Sequence, residues 1–447
     1  MNNIMGKVCK TIYGFYLRIE ERVALLENYM VLKPFKDRND LYYPDLNRNI
    51  SKVLPTALTL LDYKFPKSKT LSQELSSLEG WQKSKEGNVK NILLITIDAL
   101  GYQQFMDYSK LLKEKSQSHS LCISSVFPTI TSTCISTLKY GEMPIQHGIV
   151  GHRINFAEIG NVVDTLTLRA RNSVATLPQA GVKVKDWIWS DFPFCSSKSD
   201  LSYYRLNEDH IVNSGLSHIV SENLYAIGHS SSVDCFGAAQ KILETNEPSK
   251  KIVDAYVGSV DHVTHRYTTK SEILKEEIRI LEQVLFNMMR RLAPKVAEET
   301  VVIITADHGQ ENLIKENKIV ISQDEEEKLA SLIRNRGRSG RVIHLYSKEG
   351  KQDKVIEFFE KKVGEKGVIL TPKDYPSLMG KGADEKKVVD RLGDVQVVLG
   401  KGASMFFGHS GEYDPEFNLG LNATHGSLSK NELLVPLIIG RISDIIK

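Results

Sequence analysis

From Val89 onward the chain alternates compact apolar runs with longer stretches in which apolar residues recur every three or four positions. The runs NILLITI, CISSVFP, KVKDWIWS, IVDAYVGSV, TVVIITA and LLVPLIIG are short and rich in β-branched residues, so each reads as a strand. The stretch from Ser132 to Tyr140, ended by Gly141, reads as a helix. So does Ser271 to Arg291, where Ile273, Leu274, Ile278, Ile280, Leu281, Val284, Leu285 and Met288 line one side. Strands alternating with helices predict a three-layer α/β/α sandwich with a mostly parallel central sheet.

The texture changes at both ends of this core. Residues 1–88 predict a helical N-terminal extension, amphipathic over its first turns, broken by LKPFKDRNDLYYPDLNRN and resuming as a helix pair from Leu58 to Trp81. That extension carries no ligand-type cluster and is expected to serve packing or a homodimer contact. Residues 89–315 form the first part of the core and 403–447 its last part. Between them, 316–402 predict a small α/β cap insertion with a basic loop (RNRGRSGR), the strands VIHLYS, GVILT and DVQVVLG, and the helix QDKVIEFFEKKVG.

Composition narrows the classes only a little. The 447 residues are 41% hydrophobic and 25% charged with a formal charge of +3, so no basic surface calls for a nucleic-acid polymer. The apolar runs are too short to span a bilayer, and the N-terminus lacks the pattern of a secretory signal. Five cysteines without metal-type spacing (Cys9, Cys122, Cys134, Cys195, Cys235) read as free thiols of a cytoplasmic protein.

Chemistry concentrates in five short stretches. They hold Asp98 in NILLITIDAL, Thr131 in FPTITST, Asp261 and His265 in VDHVTHRY, Asp307 and His308 in TADHGQ, and His425 in NATHGSL. Most follow an apolar run, at the strand ends where α/β sheets hold ligands. Each alone has an ordinary explanation. Asp98 could cap a turn, the Asp261–His265 pair could arise by chance, and Thr131 could simply cap its helix, as could Thr129, Ser132 or Thr133. Three carboxylates, three imidazoles and a hydroxyl together suit two divalent cations with a nucleophile between them. A threonine hydroxyl needs such activation, since zinc lowers the pKa of bound water from 15.7 to about 7 and would favour an alkoxide similarly.

The order Asp, Thr, Asp-x-x-x-His, Asp-His, His resembles the alkaline phosphatase superfamily, in particular its type I phosphodiesterase/nucleotide pyrophosphatase branch. PTITSTCISTLKYGEMPIQHGIVG resembles that branch's nucleophile stretch without gaps, TADHGQ and THGSLSKNELLVPLI its later metal motifs, and RLGDVQVV the segment before the last histidine. The likeness runs from about Asn91 to the C-terminus. It selects Thr131 as nucleophile and implies two zinc ions, with manganese a possible substitute. One would be held by Asp98, Thr131, Asp307 and His308, the other by Asp261, His265 and His425. It also implies a small phosphodiester or nucleotide substrate and a phosphothreonine intermediate.

Two positions depart from the animal members: Ser132 replaces an aromatic residue and Cys134 an asparagine, which leaves a nucleotide preference open. A phosphomonoesterase would need a strong cation by the nucleophile, and the nearest arginine in sequence is Arg153. A binding or scaffold protein on this fold would be expected to have lost a ligand, and none is missing. His147 and His152 read as structural, and His262, inside the Asp261 motif, has no counterpart among the expected ligands. Arg334, Arg336, Arg338 and Arg341 read as a solvated turn, with an anion contact as the rival. Tyr102 and Phe105 are weak candidates for a pocket wall.

Overall fold

A computed structural model describes residues 30–63, 69–116, 118–190, 200–213, 215–220, 224–247, 249–382, 384–408 and 420–447. Its central sheet has seven strands among the described residues, in the order Ser120–Ser124, Leu434–Arg441, Thr300–Thr305, Asn91–Ile97, Lys250–Val257, Leu201–Glu208, Tyr225–His229. Neighbours from Thr300–Thr305 to Tyr225–His229 run parallel, and Leu434–Arg441 is antiparallel to both its neighbours. Asn91–Ile97 and Thr300–Thr305 are buried throughout, which explains their unbroken apolar sequence: both sheet faces are covered.

Period-2 alternation decides what each face carries. Leu94 pairs with Asp254 and Thr96 with Tyr256, so these four share a face, and Lys139 of the helix Thr131–Tyr140 reaches Asp254 there. Ile97 points to the other face, where it meets Ile278, Leu281 and Leu285 of the helix Glu272–Arg291. The result is the three-layer α/β/α sandwich. Gly141 ends the Thr131–Tyr140 helix in the left-handed region at φ 64°, where a side chain would be strained.

A second seven-stranded sheet is antiparallel, in the order Gly367–Leu370, Val395–Leu399, Val342–Ser347, Ile333–Ser339, Arg153–Phe156, Asn161–Asp164, Arg169–Ala170. It therefore joins strands from 333–399 to a meander from 153–170. RNRGRSGR, expected as a basic loop, is instead the strand Ile333–Ser339 and its turn. KVKDWIWS, expected as a strand, contains a single 3₁₀ turn at Val184–Trp187, because Trp187 packs against Phe156 of the second sheet and Trp189 against Arg391 of the helix Glu385–Leu392. The helix pair expected from Leu58 to Trp81 is two short helices, Val53–Thr59 and Glu79–Ser84, separated by turns over 69–78.

The described part of the extension joins the core. Leu54, Leu58 and Trp81 belong to the main hydrophobic cluster, and Ser124 N–H donates to Arg48 O at 3.0 Å. The amphipathic segment expected over the first turns lies outside the described residues. No described helix is long and apolar enough to cross a membrane.

Candidate metal centre and the cavity beside it

Parallel register brings three acids level. Asp98 directly follows Asn91–Ile97 and Asp307 lies two residues beyond Thr300–Thr305, with Thr96 paired to Thr305. Asp261 sits in the first turn of the helix Ser259–Tyr267, just past the neighbouring strand Lys250–Val257. Ala99 occupies the left-handed region at φ 61°, unusual for a residue with a Cβ, and its N–H donates to Asp307 Oδ1 at 3.1 Å. This turn locks the Asp98 loop onto the Asp307 loop.

Two clusters result, Asp98 with Asp307 and His308, and Asp261 with His265 and His425; within each, the donor atoms lie within 4.8 Å of one another. They abut, because the His308 and His425 rings stack with centroids 3.9 Å apart. Asp261 Oδ1 is 3.2 Å from His265 Nε2 and 3.7 Å from His425 Nε2. Thr131, the first residue of its helix, places Oγ1 3.2 Å from His308 Nε2. Of the neighbouring hydroxyls, Thr129 donates to Ser427 O at 2.8 Å and Ser132 to Gly151 O at 3.2 Å, while Thr133 Oγ1 is buried without a hydrogen-bond partner.

The imidazoles share one device. Nδ1 of His265, His308 and His425 faces Ala423 O (2.7 Å), Gly309 O (3.1 Å) and Thr129 O (2.8 Å). A carbonyl only accepts, so Nδ1 carries the hydrogen and the Nε2 lone pair is left to face the centre. Burial pushes His308 down to about 4 and His425 down to about 3, keeping both rings neutral.

The acids are held under strain. Burial first, and then the neighbouring Asp307, raise Asp98 well above the usual carboxylate range, against a hydrogen bond from Tyr256 Oη to its Oδ2. Burial lifts Asp307 to about 6. At Asp261 burial is outweighed by His265 and His425, which hold the carboxyl well below its ordinary value. Asp98 Oδ1 and Asp307 Oδ2 are buried without a hydrogen-bond partner. Two orphaned carboxylate oxygens among unprotonated imidazole nitrogens fit a divalent cation, and mixed N/O donors suit zinc or manganese.

Two supporting residues escaped the sequence reading. Tyr256, inside an apolar strand, gave no polar signal beyond its hydroxyl. Gln310 donates from Nε2 to Asp261 Oδ1, and TADHGQ contained it without showing its target. Of the other candidates, His147 is buried with Nε2 3.0 Å from Thr137 Oγ1, and His152 lies 3.1 Å from Asp164 Oδ2. Arg341 is no solvated turn residue: it is fully buried and paired with Glu432 at 2.8 Å. Arg338 is also buried, donating to Gly340 O and Met405 O. Tyr102 and Phe105 are core residues away from the cavity. Cys134 Sγ is buried beside Ser125 Oγ (3.3 Å) and Pro128 O (3.7 Å).

A cavity of about 210 Å³ opens off the centre. Asp98, Thr131, Tyr256 and Asp261 line it at the centre, and the exposed His262 contributes as well. Lys139 and Arg205 line it further along the sheet face.

Comparisons with known proteins bear on the fold and the family. Murine and human ectonucleotide pyrophosphatase/phosphodiesterase 5 share the fold with TM-scores of 0.56, at 15% and 16% identity, covering 77% and 78% of this chain and 87% of theirs. Phosphonoacetate hydrolase from Sinorhizobium meliloti 1021 matches with a TM-score of 0.55 at 14% identity, covering 79% of this chain and 93% of its own. No curated protein sequence matches significantly. The model of the family "Type I phosphodiesterase / nucleotide pyrophosphatase" matches residues 92–427. That span contains all seven residues of the centre, and the chain belongs to the type I phosphodiesterase/nucleotide pyrophosphatase family, within the alkaline phosphatase superfamily.

Proposed function

We propose that the protein hydrolyses phosphodiester or pyrophosphate bonds of small molecules with two divalent cations, zinc for preference, through a phosphothreonine formed on Thr131. One observation carries the reading: Thr131 Oγ1 stands 3.2 Å from His308 Nε2, beside buried carboxylate oxygens that have no hydrogen-bond partner. Asp98, Thr131, Asp307 and His308 would hold one cation, and Asp261, His265 and His425 the other. When bound, the pair supplies Lewis acidity that draws charge from the attacking and leaving oxygens.

Thr131 Oγ attacks phosphorus in line with the departing oxygen; the Oγ–P bond forms as the ester P–O bond breaks, and the proton lost from the hydroxyl is made up on the departing alcohol. Water then attacks the phosphothreonine, releases the phosphoryl group and restores the hydroxyl. The first amides of the Thr131–Tyr140 helix, free of intrahelical partners, are placed to donate to phosphoryl oxygens. Tyr256 and Gln310 hold Asp98 and Asp261 in orientation through the reaction.

Support also comes from relatives: the murine protein has been captured as an inactive threonine-to-alanine form in complex with AMP, and the bacterial hydrolase with phosphonoacetate. A phosphomonoesterase would want a cation beside Thr131, whereas Lys139 lies two helical turns along from it. The buried free thiols of Cys122, Cys134 and Cys235 favour a reducing, cytoplasmic setting. The test is turnover of bis(p-nitrophenyl) phosphate against p-nitrophenyl phosphate, with and without chelator. The diester is expected to be preferred and chelator to stop it; preference for the monoester overturns the reading.

A further inference from the structure

We propose that the cavity beside Thr131 receives one ester group of the substrate, and that this group ends in an anion docked on Lys139. The inference rests on the phosphodiesterase reading above and names the substrate class within it. That class is a phosphodiester of an alcohol whose apolar spacer terminates in a carboxylate or a phosphate.

Two independent rulers give the cavity its length. Thr131, Ile135 and Lys139 are successive i, i+4 positions on one helix face, and all three line it. At 1.5 Å per residue, Lys139 lies about 12 Å along the axis from the nucleophile. On the sheet, Asp254 stands four residues before Gly258, at the level of Leu94, while Asp98 N–H bonds Val257 O at the strand end. Four residues of strand span about 13 Å. A substrate with its phosphorus at Thr131 therefore has room for a group reaching about two helical turns down the sheet face.

The far end is built for negative charge. The Lys139 side chain is 2% exposed, yet it borders the cavity. An ammonium has three donors, and among the described residues its one hydrogen-bond partner is Asp254 Oδ1. Asp254 does not face the cavity as a free acid. Its Oδ2 accepts from Tyr203 Oη at 2.9 Å and from Arg205 Nε at 3.3 Å, so one carboxylate serves two cations. The wall that meets the cavity is the cationic side of this cluster, since Lys139 and Arg205 line it and Asp254 lies behind.

Ile135, Leu166, Ile211, Leu216 and Val220 give the lining its apolar wall, and Asn207 and Ser217, whose side chains meet at 3.5 Å, are polar members of it. Glu208, a further lining carboxylate, is engaged by Gly258 N–H at 3.2 Å at the end of its strand. An apolar spacer with a terminal anion matches this order of surfaces, and a charge-assisted hydrogen bond in a desolvated pocket gives it selectivity.

The test uses p-nitrophenyl phosphodiesters that share one straight alkyl tether of about 12 Å, ending in a carboxylate, a phosphate, a methyl ester or a trimethylammonium group. With the full-length, metal-loaded protein, kcat/KM for the anionic tails is expected to exceed that for the methyl ester by about ten- to a hundredfold. Trimethylammonium should rank last. Whichever of carboxylate and phosphate leads identifies the tail. In Lys139→Met the ratio of anionic to neutral tails should fall toward one. Equal rates for all tails in the unmodified protein overturn the inference whether or not the variant folds. Absence of turnover for every diester removes the phosphodiesterase reading and this inference with it.

Discussion

At Thr131 the difference between a nucleophile and a helix-capping residue is a matter of a few ångströms. Its hydroxyl meets His308 Nε2 while Thr129 and Ser132 spend theirs on backbone carbonyls. Thr131→Ala is expected to reduce diester turnover by about a thousandfold or more while both cations remain bound, as read by metal analysis. Substantial residual turnover would move the nucleophile elsewhere. Tyr256→Phe removes the donor on Asp98 Oδ2 and should weaken cation affinity by about ten- to a hundredfold, measured by competition with a chromophoric chelator. His147 allows a separate check on electrostatics. Burial pushes it to about 3, below the usual value near 6.5. As pH falls the unfolded chain takes the proton first, so its contribution to stability is complete above about pH 6.5 and declines below it. In His147→Asn the loss of unfolding free energy between about pH 7.5 and 5 should shrink by about 2 kcal/mol, and an unchanged pH dependence would contradict this.

Among elements, the turn after Ile333–Ser339 matters most to the centre. Arg341 N–H donates to His425 O at 2.9 Å, and a Cβ on Gly340 would come within 2.0 Å of the same oxygen. Behind it, Arg341 pairs with Glu432 at 2.8 Å, both side chains fully buried. Glu432 also accepts from Ser427 N–H (2.9 Å) and Ser429 N–H (3.2 Å), so the loop bearing His425 is clamped to the second sheet. Removing one partner of such a pair strands a charge, and Arg341→Met should cost about 3–5 kcal/mol in urea unfolding. Adding Glu432→Leu to that variant should recover part of the loss, because the orphaned charge is then gone. If the double variant is no more stable than the single one, burial of the pair is not the source of the cost.

For the molecule as a whole, the centre works against the fold until it is filled. Asp98, Asp261 and Asp307 converge from three strand ends with little solvent to separate them. Cations that bind only the folded chain stabilise it in proportion to the logarithm of their concentration over Kd, about 2.7 kcal/mol at a hundredfold excess. Chelator should therefore lower the melting temperature by several degrees, and zinc should restore it. No shift on chelation would mean that the clusters hold no cation with useful affinity.

The sandwich was legible in the sequence because buried parallel strands must be apolar on both faces, and NILLITI and TVVIIT are. The candidate acids Asp98 and Asp307 were legible for a related reason: ionisable residues just past such strands stand out against them. Tyr256 and Gln310 were not, since their roles depend on which oxygen they reach across a strand pair and a loop. Arg341 was misread for the same cause, as a basic turn in sequence became a buried ion pair once Glu432 folded against it. The sequence by itself determined the candidate residues for the chemistry and the layers that carry them. Only the tertiary structure decided that Thr131 faces His308 and that Lys139 ends a cavity, because both depend on distances between segments that local periodicity does not constrain.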